Sequence, residues 1–206
     1  MLRKIWIIIF FAFLIWSGIN PSDYFTWFLE VVPAIIGVFV LWKTEKSFPL
    51  TILVYDLILI HSVILMIGGH YTYAEVPWFN TLKEVFDLAR NNYDKVGHFA
   101  QGFVPAMIAR EIFIRKNIIN SKAWENFLII TFCLGFSAFY ELIEWWVAIS
   151  SGESADDFLG TQGYIWDTQS DMGLALLGAI SCLFVLSALH NKQLGKTAKG
   201  VRQNAP

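Results

Sequence analysis

The sequence predicts an all-helical membrane bundle of about six spanning helices with a short interfacial helix at its outer surface. Three observations carry this prediction. The 206 residues are 56% hydrophobic and 16% charged, whereas an ordinary soluble domain is about 45–50% apolar and about 25% charged. The apolar residues fall in blocks, each near the ~20 residues that cross a bilayer core. Lys and Arg collect on alternate connections between those blocks, the mark of a chain that crosses lipid repeatedly.

The first block, 4–20, follows Arg3 and Lys4, the basic flank of a signal peptide. No small-x-small cleavage site follows the apolar run, so it reads as a retained span. The second, 25–42, holds Glu30 and Pro33, and the proline is expected to free a carbonyl and bend the helix. The third, 50–69, carries Asp56 and His61, read as a buried hydrogen-bonded pair, and leads into His70. Next comes "TLKEVFDLARNN". Here Thr81 and Glu84 have capping-box spacing, and Leu82, Val85, Phe86 and Ala89 share one helical face. With Trp78 and Phe79 beside them, they predict a short helix lying on the membrane surface. The remaining spans are 97–115, 124–149 and 171–189. Cys133 and Cys182 lie inside apolar blocks and read as small core residues. Trp145, Trp146 and Trp166 suit an aromatic belt.

Residues 1–190 therefore read as one helical domain, and 191–206 as a flexible basic tail with His190 solvated at its start. With six spans both termini share a side. That side holds Arg3, Lys4, Lys43, Lys46, Arg110, Arg115, Lys116, Lys122, Lys192, Lys196, Lys199 and Arg202, which is 12 of the 15 basic residues. The positive-inside rule makes it cytoplasmic. The outer connections, 70–96 and 150–170, are acidic.

The same topology gathers unusual polar residues at the outer leaflet. His70 ends the third span; Asp94 and His98 open the fourth; Glu141 and Glu144 lie near the outer end of the fifth; Asp167 and Asp171 open the sixth. Within each helical pair the spacing is i,i+3 or i,i+4, which places both members on one face. A carboxylate at mid-span costs about 2.5–3.5 kcal/mol, and neighbouring carboxylates repel, so something must neutralise them: protonation, Arg90 or Lys95, or a bound cation. Histidines among carboxylates form a ligand set for a divalent ion, Zn²⁺, Mn²⁺ or Mg²⁺. The expected ligands are His70, Asp94, His98, Glu141, Asp167 and Asp171, with Glu144 as a general base. A hydrogen-bonded polar seam that only holds the helices together is the competing reading, and a proton or ion relay the third. No phosphate-cradling glycine loop, Walker lysine or zinc-finger spacing occurs, so nucleic acid is not an expected partner.

At "GGHYTYAEVP", "NNYDKVGHFAQGFVPAMIARE", "ELIEWW" and "GTQGYIWDTQSDM" the chain resembles the YjdF-like inner-membrane proteins over about residues 20–190. More distantly it is similar to the VanZ-like membrane proteins, at Asp94, His98, Glu141 and Asp171. The resemblance implies a multi-pass bacterial inner-membrane location and supplies no reaction. Three functions are therefore expected in competition: a metal-dependent enzyme acting on a lipid or lipid-linked envelope substrate at the outer leaflet, a proton- or ion-coupled transporter, and a non-catalytic envelope protein.

Overall fold

The computed structural model describes residues 2–151 and 162–203, all helix and connecting turn with no strand among them. Seven helices run in chain order: α1 Leu2–Ser17, α2 Tyr24–Thr44, α3 Ile52–His70, α4 Pro77–Val85, α5 Tyr93–Arg115, α6 Lys122–Ser151 and α7 Asp167–Gln203. Of the expected outer connection 150–170, residues 152–161 lie outside the described residues.

Helices α2, α3, α6 and α7 are long and apolar enough to cross a membrane. Helix α1 is apolar but has only 16 residues. Helix α5 has the length, 23 residues or about 35 Å, but not the composition. Its position explains why. Helix α5 packs against α3, α6 and α7 and buries Asp94, His98, Gln101, Arg110 and Glu111. A helix enclosed by other helices need not be apolar to sit at membrane depth, provided its polar groups find partners. The lipid-facing load falls on the outer helices, where Ile8, Ile36, Trp42 and Phe184 stand exposed.

Helix α5 makes its most extensive contact with α7, and small residues allow the two backbones to meet. A Cβ on Gly102 would run into the Ala175 carbonyl, and one on Gly178 into the Phe99 carbonyl. Backbones meet this closely where side chains are absent, the usual device for packing helices in lipid. The main core gathers Val54, Val104, Met107, Ile129, Cys133 and Cys182, and both cysteines are fully buried free thiols, as expected.

Helix starts are capped in different ways. Asp23 Oδ1 accepts the Thr26 amide at 2.6 Å, a side-chain N-cap for α2. That bond holds the exposed Asp23 carboxyl below its ordinary range. Helix α3 has no such cap of its own. Its first amides are met from other helices: Thr51 N–H donates to Glu111 of α5 at 3.0 Å, and Leu53 N–H to Gln193 Oε1 of α7 at 2.9 Å.

Several expectations are corrected. Helix α4 starts at Pro77, not at Thr81, because proline already suits the first helical position. Thr81 is therefore internal and bonds back to the Pro77 carbonyl, so no capping box forms with Glu84. The surface helix still carries an exposed apolar stripe, Trp78, Leu82, Val85 and Phe86. His61 Nε2 has no hydrogen-bond partner, so the expected bond to Asp56 is not made. Of the expected tail 191–206, residues 191–203 are described and are helical, continuing α7. His190 is not solvated but completely buried.

Candidate functional site

Both α5 and α7 begin at the acidic end of the bundle, where α3 and α6 finish. Asp94 and His98 stand one turn apart on α5, and Asp171 stands one turn into α7. The coil before α5 adds Arg90. His98 Nε2 lies 3.1 Å from Asp94 Oδ1 and 3.9 Å from Asp171 Oδ2, while Nδ1 lies 3.8 Å from Glu141 Oε1. One ligand atom each from Asp94, His98 and Asp171 falls within 4.8 Å of the others. Nδ1 is also 3.2 Å from Gln101 Oε1, which fixes the ring and leaves Nε2 facing the carboxylates.

Arg90 closes one side of this cluster. Its guanidinium donates to Asp94 Oδ2 at 3.1 Å and also to Asp167 Oδ1. Asp167 thus joins the cluster through Arg90. Lys95, the other candidate neutraliser, is drawn toward the Tyr164 ring at 5.9 Å. Glu141 Oε1 is buried without a hydrogen-bond partner. A buried acceptor left open costs about 1–3 kcal/mol.

The two α6 glutamates divide. Glu141 faces His98, whereas Glu144, nearly a turn later, lines a cavity of about 500 Å³. That cavity is a cleft between α2 and α6, floored by α3 and α5. Its walls are largely apolar, with Leu29, Ile36, Phe136, Phe139 and Ile143 among them, while Glu30, Tyr73, Asp94, His98 and Glu144 make its polar end. Tyr73, in the turn after α3, shares this polar end with Glu30. Burial pushes its phenol well above the ordinary range, so it remains a donor. The turn that places it is strained: Thr72 and Tyr73 both have φ of 55°, a left-handed conformation that non-glycine residues adopt at some cost.

His70 is not brought into the cluster. Its Nδ1 lies 3.0 Å from the Ser17 carbonyl, and its ring sits 4.6 Å from Trp16. It ties α3 to the end of α1.

Two polar assemblies lay outside the expected site. In the connections, Asn91 N–H donates to Gln162 Oε1 and Gln162 Nε2 donates back to the Asn91 carbonyl, which fastens the coil before α5 to the coil before α7. At the opposite, basic end, Arg110 donates to His190 Nδ1 at 2.7 Å. That ring nitrogen must therefore accept, which puts the proton on Nε2, and Nε2 donates to Glu111 Oε2 at 3.0 Å. Glu111 also takes Arg115 and Thr51. The sequence carried a signal for this: Glu111 and Arg115 are an i,i+4 ion pair inside an apolar block.

The family described as Predicted membrane protein (DUF2238) matches residues 2–192. The chain is 51% identical to Inner membrane protein YjdF of Escherichia coli (strain K12) over 181 residues, which covers 88% of this chain and 87% of the relative. No solved structure matches. The long apolar helices and the family match lead to one conclusion: the chain belongs to the DUF2238 membrane-protein family and is a helical, multi-pass inner-membrane protein.

Proposed function

We propose that the acidic end holds a divalent cation, Zn²⁺, Mn²⁺ or Mg²⁺, and that the protein is an enzyme acting on a lipid or lipid-linked substrate of the cell envelope. One observation carries this reading. Asp94 and His98 belong at once to the ligand cluster with Asp171 and to the wall of the apolar cleft. A ligand set and a hydrocarbon-lined groove sharing two side chains is what chemistry on a lipid head requires. The buried open oxygen of Glu141 supports the cation independently, since it points among these groups with nothing to bond.

A cation held by Asp94, His98 and Asp171, with Glu141 adjoining, supplies a Lewis acid for a phosphoryl or acyl oxygen. Glu144, on the cleft side of α6, is placed to act as the general base. By the distribution of Lys and Arg, this end faces outward and both termini face the cytoplasm.

The test is elemental analysis of the purified chain after metal supplementation at several pH values. About one divalent ion per chain is expected, retained in His70→Ala and Glu144→Gln and lost in His98→Ala and Asp171→Asn. No stoichiometric metal under any of these conditions overturns the reading.

The ion pairs of Arg90 with Asp94 and Asp167 favour a second reading, a polar seam that fixes α5 against α7 and performs no chemistry. In that case His98→Ala and Asp171→Asn lower the melting temperature and remove no ion. A coupled transporter draws the least support. Midway along the groove the walls are Pro33, Gly37, Leu65 and Phe136, with His61 the titratable group among them.

A further inference from the structure

The cleft does not stop at mid-bundle. Pro33, Gly37, His61, Leu65 and Phe136 also line a second cavity of about 490 Å³, which continues along α2 and α5 to the basic end. On α2 it runs from Pro33 to Thr44, and on α5 from Val104 to Lys116. At 1.5 Å per residue this is about 17 Å, close to half of a hydrocarbon core ~30 Å thick. The cavity is thus one leaflet deep. Its walls, such as Val40, Leu41, Ile58 and Ile108, are apolar, and its mouth lies at headgroup level.

The mouth is basic. Lys116 lines it, is exposed, and makes no ion pair among the described residues. Its Nζ sits 5.4 Å from the centre of the Phe48 ring, another wall residue. Arg115, on the same ring, is already engaged by Glu111 and the Pro49 carbonyl. Lys43 and Lys46 follow at the end of α2 and Lys122 opens α6, against Glu45 in the α2–α3 turn. The nearby acids Glu111 and Glu125 are buried.

We propose that this cavity binds one anionic glycerophospholipid from the leaflet at the basic end, with an acyl chain between α2 and α5 and the phosphate at Lys116. Basic pockets between spanning helices recognise anionic headgroups in this way. The site is separate from the cation cluster: Lys116 lies at the far end of the bundle, and no ligand of the proposed ion lines this cavity.

The experiment is native mass spectrometry of the full chain in detergent, titrated with dioleoyl phosphatidylglycerol or dioleoyl phosphatidylcholine. The parent should retain one phosphatidylglycerol about fivefold better than phosphatidylcholine, the order expected for one lysine at an anionic headgroup. Lys116→Gln should abolish that preference while either lipid still binds weakly. Gly37→Leu should reduce retention of both, because a Cβ at Gly37 meets nothing within 4 Å and its side chain grows into the cavity without displacing backbone. A melting curve no lower than the parent's shows that Gly37→Leu is folded. Equal retention of the two lipids by the parent overturns the proposal, as does a preference that survives Lys116→Gln. So does a preference lost in Lys116→Gln but untouched by Gly37→Leu, which marks adsorption at the surface and not a chain in the groove.

Discussion

Removing the Glu111 carboxylate should destabilise the bundle about as much as a large cavity-forming change in the core, which costs about 2–5 kcal/mol. In the folded protein this carboxylate accepts from Thr51 N–H at 3.0 Å, Thr51 Oγ1 at 2.7 Å, Arg115 Nη1 at 2.8 Å and His190 Nε2 at 3.0 Å. In Glu111→Ala the Thr51 hydroxyl can rotate, and Arg115, partly exposed, keeps the Pro49 carbonyl. The Thr51 amide and the His190 Nε2–H cannot move and are left open in a buried site. Each open donor costs about 1–3 kcal/mol, and breaking a buried ionic network costs about 3–5 kcal/mol. The expected loss is therefore about 4 kcal/mol. At roughly 2–4 °C per kcal/mol for a chain of this size, the melting temperature of the detergent-solubilised protein should fall by about 8–16 °C. His190→Leu, combined with Glu111→Ala, should show a coupling of at least about 0.5 kcal/mol. A melting temperature within about 1 °C of the parent, or strict additivity of the two changes, refutes the capping argument.

Gly102→Ala drives a Cβ into the Ala175 backbone and should cost about 1–3 kcal/mol by overpacking. Gly37→Ala, which meets nothing within 4 Å, should gain up to about 1 kcal/mol; equal melting temperatures for these two variants would contradict the tight α5–α7 seam. Asp23→Ala removes the α2 N-cap and should cost about 1 kcal/mol at neutral pH. Because the Thr26 amide lowers the folded carboxyl's pKa, the cap's contribution is present above the unfolded value of about 3.9 and disappears as pH falls through the folded one. Chemical or thermal unfolding that shows the same parent-to-variant gap at pH 3 and pH 7 would disprove the ionised cap. Reporter fusions should place both termini in the cytoplasm; an N-terminal reporter active only outside would reverse the orientation drawn from the basic residues.

The helices were legible because lipid demands length and apolarity from each span, and the expected span 97–115 falls within α5, Tyr93–Arg115. The gathering of Asp94, His98, Glu141 and Asp171 at one end followed from counting crossings, since alternate helix ends must share a leaflet. Rotation about each helix axis does not follow from that count. His70 ends α3 at the same end of the bundle but turns toward Ser17 and Trp16. Glu141 and Glu144 part company across the face of α6 for the same reason. The α5–α7 lock stayed hidden because Arg110 and His190 are 80 residues apart, and a charged residue near a span end reads equally well as solvated. Gln162 and Asn91 are ordinary loop residues with no pattern at all until the two coils are seen side by side.

The borrowed cap of α3 has a consequence in time. The Thr51 and Leu53 amides leave the ribosome 60 and 140 residues ahead of the side chains that accept them. At about 5–20 residues per second, Leu53 waits about 7–28 s for Gln193. During that interval the third helix sits in the translocon's neighbourhood with a frayed beginning, and only arrival of the final segment completes it. In a chain clipped before His190 the Thr51 amide would still meet Glu111, but the Leu53 amide would have no Gln193 to donate to, so the start of the third helix would fray more readily.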